Sequence, residues 1–201
     1  MRNGVNGRYV SSVVRLLALF ALVALLASGC GSAGNIMTKV PRISQPPQDQ
    51  ALVTFVRPSI VGGAVTFGIW DSENLVGVMN AGKCIQYQAA PGEHYFLGRA
   101  ENWSCVKADL APGKHYVIKT NPMFGVWKAR VAFDPITAAD YQSQLKDVRK
   151  WLANLEPVSP DPGQSEAYAQ PRRAEVLRAK SEFQSGRGRY ETLAPQDSLP
   201  E

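Results

Sequence analysis

The chain has 201 residues, 22 of them basic and 17 acidic, for a formal charge of +5. Arg2, Arg8 and Arg15 lie in a leader-like start; without them nineteen basic residues face seventeen acidic ones. With no Lys/Arg run interleaved with aromatics, that near-balance argues against a nucleic-acid partner, and the length suits one modest domain with extensions.

The three arginines precede Leu16–Ala27, LLALFALVALLA, and no acidic residue occurs before Asp49. A basic start followed by a short apolar run predicts a secretory signal over residues 1–29, too short for a comfortable permanent span. Leu26-Ala27-Ser28-Gly29-Cys30 then leads small residues into a cysteine. This stretch resembles the lipobox of bacterial lipoproteins, with Ala27 where leucine is usual. The resemblance implies that Cys30 is lipidated and becomes the new N-terminus, tethering the protein to a membrane. The alternative is ordinary cleavage near Gly29. Gly31 is not the aspartate that retains enterobacterial lipoproteins at the inner membrane, which implies an outer-membrane location facing the periplasm. Gly31–Gln50, GSAGNIMTKVPRISQPPQDQ, reads as a flexible tether, so that residues 30–50 form lipidated cysteine and spacer, with a short strand over Ile36–Val40 as the alternative.

Residues 51–136 carry short runs rich in Val, Ile, Phe, Tyr and Trp, separated by Gly, Pro, Asn and Asp. Strands are predicted over 51–57, 64–71, 75–79, 83–88, 93–100, 104–110, 114–120 and 126–133. Such a series without intervening helices predicts a mainly β fold, an antiparallel β-sandwich of about eight strands, with a helical extension behind it. The first strand is apolar on both faces, as for a central strand covered on both sides. In the last, Trp127, Ala129, Val131 and Phe133 are expected in the core, with Lys128, Arg130 and Ala132 outside.

Two near-copies, APGEHYF from Ala90 and APGKHYV from Ala111, hold both histidines. Pro followed by Gly suits the centre of a type II turn, so each copy reads as a turn joining antiparallel neighbours. Side-chain parity then groups His94 and Phe96 with Ile85, Tyr87 and Ala89, and His115 and Val117 with Val106, Ala108 and Leu110. Cys84, His94, Cys105 and His115 have the chemistry of a zinc site. On these turns, however, each cysteine lies more than about 10 Å from its histidine on the opposite face, and no metal is expected. Cys84 and Cys105 form a candidate disulfide, as an oxidising compartment allows. A plain meander would hold them about 9.6 Å apart, so the bond requires a bend or strands that cross between sheets.

ALVTFVRPS, the Trp70-Asp71 turn, NLVGVMNAGKCIQYQAAPGEHYFLG, ADLAPGKHYVIKT and GVWKARVAF together resemble a family of uncharacterised bacterial lipoproteins with one small β-sandwich domain, similar in pattern to PEGA-type domains. The resemblance spans roughly residues 48–136. It implies turns and core positions, with no catalytic residue to carry over.

Thr137-Ala138-Ala139-Asp140 has the form of a capping box, and Tyr141, Leu145, Val148, Leu152 and Leu155 follow at helical spacing. An amphipathic helix is predicted over 137–156, its stripe either packing on the sandwich or binding a partner. Residues 157–201 read as a Pro-rich linker, a thin-seamed second helix within 166–184 (Val176, Ala179, Lys180 and Phe183) and a disordered tail from Ser185. The sequence lacks G-x-S-x-G, H-E-x-x-H, P-loop and dinucleotide fingerprints. The expectation is a non-catalytic structural or interaction module with an envelope protein partner and no cofactor. The alternative is a carrier of an apolar or glycan ligand using Trp70, Tyr95, Trp103, Phe124 and Trp127.

Overall fold

Each β-branched and aromatic run between residues 51 and 135 forms a strand, because it can bury one or both faces of a pleat. The computed structural model describes residues 36–124 and 129–200. It contains β1 (Met37–Lys39), β2 (Ala51–Val56), β3 (Phe67–Asp71), β4 (Asn74–Met79), β5 (Lys83–Ala89), β6 (Gly92–Arg99), β7 (Trp103–Leu110), β8 (His115–Phe124), β9 (Ala129–Pro135), β10 (Glu156–Pro160) and β11 (Glu191–Leu193). Three helices follow the eight expected strands: α1 (Tyr141–Asn154), α2 (Pro162–Ala169) and α3 (Arg173–Gln184). The signal, Cys30 and Trp127 lie outside the described residues, as does the side chain of Phe124.

The fold is sandwich-like and mainly β, with eleven strands in two sheets, ordered β1-β10-β5-β2-β8-β9 and β11-β7-β6-β3-β4. The sheets are mixed rather than antiparallel throughout: β2 runs parallel to β8, β10 to β5 and β11 to β7. The core between them holds Val53, Phe55, Ile69, Phe96, Tyr116 and Phe133. Central β2 is buried along its whole length, as its two apolar faces predict. On β9, Val131 and Phe133 enter the core while Arg130 is exposed.

The two Pro-Gly copies are not hairpins. Gly92 and Gly113 do take positive φ, +112° and +68°, the role assigned to glycine in such turns. Yet β5 belongs to the first sheet and β6 to the second, while β7 belongs to the second and β8 to the first. Both copies are corners that carry the chain from one sheet to the other. Parity survives at the first corner, where Ile85, Ala89 and Phe96 share the core. It fails at the second: Tyr116 and Ile118 face the core, and Val117 faces outward with Val56, Ile136 and Tyr141.

Three strands come from segments read as tether, break and tail. Residues 36–50 are not a spacer: β1 pairs with β10, Gln86 exchanges hydrogen bonds with the backbone of Ile43 at 2.8 Å each, and Arg42 donates to the carbonyls of Ala153 and Leu155. EPVSP supplies β10, a strand between β1 and β5. The tail adds β11 beside β7, with Leu193 1% exposed, and Asp197 accepts from the backbone N–H groups of Ala138 and Ala194 at 2.8 Å each. These short strands gain order by completing ladders that already exist.

Helices close both outer faces. α1 covers the first sheet over Val56, Cys84 and Val117. α2 and α3 cover the second through Ala169, Val176 and Phe183, packed on Trp70, Leu97 and Cys105. The β9 edge is guarded as well, as isolated edges invite unwanted pairing. On β9 the N–H groups of Val131 and Phe133 donate to Asn102 Oδ1 at 2.8 Å and Ser104 Oγ at 2.9 Å. Phe133 lies so close to β6 that a Cβ at Gly98 would meet its ring at 2.5 Å.

Candidate interaction surface

The sandwich draws its ionisable groups into separate, satisfied clusters. His94 Nδ1 donates to Asp71 Oδ2 at 2.8 Å and its Nε2 to the carbonyl of Ala90 at 2.8 Å. The imidazolium form satisfies the acceptor at each nitrogen, and the Asp71 hydrogen bond raises its pKa. Tyr87 adds a 3.0 Å bond to the same carboxylate oxygen, and the imidazole stacks on Phe96 with centroids 5.6 Å apart. His115, at the second corner, shares a 2.8 Å bond with Thr54 Oγ1, and burial lowers its pKa to about 4, so it is neutral. The Thr54 hydroxyl that His115 meets is itself fully buried.

The candidate disulfide does not form. Cys84 and Cys105 are free and buried, and they sit on the outer faces of opposite sheets. Sheets pack about 10 Å apart and these thiols point away from each other, so the crossing between sheets that might have joined them separates them. The Cys84 thiol donates to the Leu155 carbonyl at 3.6 Å. Burial raises both thiols, Cys105 to about 12, which leaves them poor nucleophiles. Among the described residues no group of three or more His, Cys, Asp or Glu side chains converges as a metal site.

The predicted helix face is also occupied. Tyr141 and Val148 are buried, and Leu145, Leu152 and Leu155, partly buried, pack beside them on the first sheet. The capping group is reversed: Asp140 Oδ2 accepts from Thr137 N at 2.9 Å and Thr137 Oγ1 at 2.6 Å. The ligand-carrier aromatics are structural where described. Trp70 and Tyr95 are 0% and 8% exposed, and Trp103 packs against the same cluster beneath α2 and α3.

Among the described residues, the two most exposed large apolar side chains lie in the loop after β2, Pro58–Thr66. Ile60 and Val61 are 79% and 61% exposed, adjacent apolar side chains on a turn, where water strongly disfavours them. The loop is held from below by Arg57, which is 0% exposed. Its guanidinium donates to the carbonyls of Gly62, at 2.8 Å, and Val65, and lies 5.5 Å from the centre of the Phe67 ring. Its Nε has no partner. Burying a cation on carbonyls alone is unfavourable, and here the guanidinium ties two points of the loop, Gly62 and Val65, to the end of β2. Ser59 Oγ accepts from Val61 N at 3.2 Å, and Val65 N donates to the Gly62 carbonyl at 2.8 Å. At the same end, Met123 of β8 is 52% exposed beside its register partner Arg130. A cleft of about 380 Å³ behind the loop is lined by Ala64, Thr66, Arg99, Tyr168 and Arg172, with the Arg172 guanidinium 3.9 Å from the Tyr168 ring centre.

Strand patterning missed this loop because it treats an interruption as punctuation. The available signal was Ile-Val flanked by Pro58 and Gly62-Gly63, an apolar pair where turn chemistry predicts polar residues. No protein-family model, curated protein or solved structure matches the chain. No helix among the described residues is long and apolar enough to cross a membrane.

Proposed function

We propose that the protein is an exported lipoprotein, anchored through Cys30 in the bacterial envelope, that acts as a non-catalytic interaction module presenting the Ile60–Val61 loop. The observation that carries this reading is the loop itself: an apolar tip underpinned by a buried arginine, on a body whose helix stripe packs on the first sheet and whose β9 edge is engaged internally. The anchor rests on the lipobox resemblance and on the basic, apolar and small-residue order of residues 1–30.

A photoreactive amino acid at position 60 tests the reading in intact envelopes, with the exposed Gln164 as control position. The expected outcome is an adduct from position 60 and none from 164. Equal labelling from both, or none from either, contradicts a specific contact at the loop.

A further inference from the structure

The covalent distance between anchor and domain is short. Since Ile36 is buried and β1 is paired, only Gly31–Asn35, five residues, separate Cys30 from the folded body. Even fully extended, the six Cα steps from Cys30 to Ile36 span about 20 Å. A body on so short a lead meets the anchoring bilayer at an effective concentration in the millimolar range or above.

The loop and Ile36 lie at opposite ends of the first sheet. Ile36 accepts from Asp161 N just beyond Pro160, whereas Glu156, at the other end of β10, is level with Lys83, whose carbonyl accepts from Arg57 N. The five residue steps from Glu156 to Asp161 separate these levels by about 16 Å along the strands, before the loop is added. An upright domain therefore brings one end or the other to the membrane, and a domain lying on its side brings both.

The chemistry of the loop end fits a membrane surface. Ile60 and Val61 form an apolar point, Met123 is exposed at the same end, and Arg130 and Arg172 add guanidinium groups around it. Glu101, on the cleft behind the loop, has an interaction of its own. Apolar side chains with arginines at the same end of the sandwich match the acyl boundary and the anionic headgroups above it. We infer that the Ile60–Val61 loop is a second membrane contact, seated in the anionic interface of the bilayer that holds Cys30, so that the sandwich lies along the surface. The inference rests on the lipoprotein reading and names the partner of the loop as lipid.

The test uses mature lipidated protein reconstituted into vesicles of one part phosphatidylglycerol to two parts phosphatidylcholine. An environment-sensitive fluorophore is placed at Ala64→Cys, where labelling is selective because Cys84 and Cys105 are buried. The expected result is a blue-shifted probe quenched by nitroxide lipids, with weaker immersion in pure phosphatidylcholine. Ile60→Asp combined with Val61→Asp should lower the immersed fraction by about tenfold or more, with acylation and sedimentation unchanged. A probe that stays aqueous in the anionic vesicles, or position-60 adducts in envelopes that are all protein, overturns the inference and leaves the anchor standing. Absence of acyl mass on Cys30 instead removes the anchor reading on which the inference depends, and mass spectrometry detects this independently of the probe.

Discussion

His94 and Asp71 form a 2.8 Å ion pair at the end of the sandwich, with side chains 14% and 7% exposed, and Tyr87 of the opposite sheet completes it. The pair ties the first Pro-Gly corner to the β3–β4 turn and links the two sheets through one carboxylate. Because the Asp71 hydrogen bond raises the His94 pKa, its contribution is complete below the unfolded value near 6.5 and is lost as pH rises through the folded value. His94→Gln should flatten the stability profile above pH 6.5 and destabilise the protein by about 1–3 kcal/mol at pH 6. Urea unfolding across pH provides the measurement, and an unchanged alkaline slope would contradict the pairing.

His115 acts with the opposite sign. Its folded pKa is lowered to about 4 by burial, so the unfolded chain takes up a proton that the native chain does not. Stability is lost as pH falls from about 6.5 toward 4, by up to about 3 kcal/mol. Together the two histidines predict maximal stability near pH 6–7. His115→Gln should remove much of the acid-side loss in the same titration, and retention of the full loss would show that other groups cause it.

Arg57 separates local order from global stability. Replacing it with methionine removes an unfavourably buried cation together with the donors to Gly62 and Val65, so global stability should change by no more than about 1–2 kcal/mol. Hydrogen exchange over residues 58–66 should nevertheless accelerate markedly, as the loop loses its internal support. Unchanged protection in that segment would mean that Arg57 does not hold the loop.

Cys84 and Cys105 should both react with a thiol reagent in denatured, unreduced protein and neither in the native state. Finding both blocked without prior reduction would place a bond between strands that the fold holds on opposite outer faces.

The C-terminal residues are part of the sheets, so removing 137–201 should prevent folding rather than yield a partner-blind domain. Without β10, the β5 edge loses its neighbour, and without α1 the face over Val56 and Val117 is exposed. Val148→Asp, which places a charge at a fully buried site, should cost about 3–5 kcal/mol, comparable to other uncompensated buried charges. A stable, monomeric 1–136 fragment would contradict this integration.

Much of this fold is legible in the sequence. β2 to β9 stand out because Val, Ile and aromatic residues at period two have one efficient way to be buried, and α1 because Tyr141, Val148 and their neighbours repeat at helical spacing. The topology was hidden for a definable reason. A Pro-Gly turn and a Pro-Gly corner use the same backbone conformations at Gly92 and Gly113, and which sheet receives the next strand depends on partners distant in sequence. β10 and β11 were concealed, since EPVSP and ETL have little strand character until an existing edge orders them, whereas β1 was legible as the alternative strand over Ile36–Val40. Arg57 gave no sign of burial, because an arginine after a strand is ordinarily solvent-exposed.

The central claim is that Cys30 holds this module at a membrane, and the mass of the mature N-terminal peptide isolated from envelopes tests it most directly. The account predicts Cys30 as the first residue, carrying a diacylglycerol thioether and sedimenting with membranes, and Cys30→Ser losing both properties. A mature chain that begins at another residue, or an unmodified Cys30 in protein still bound to membranes, would contradict it.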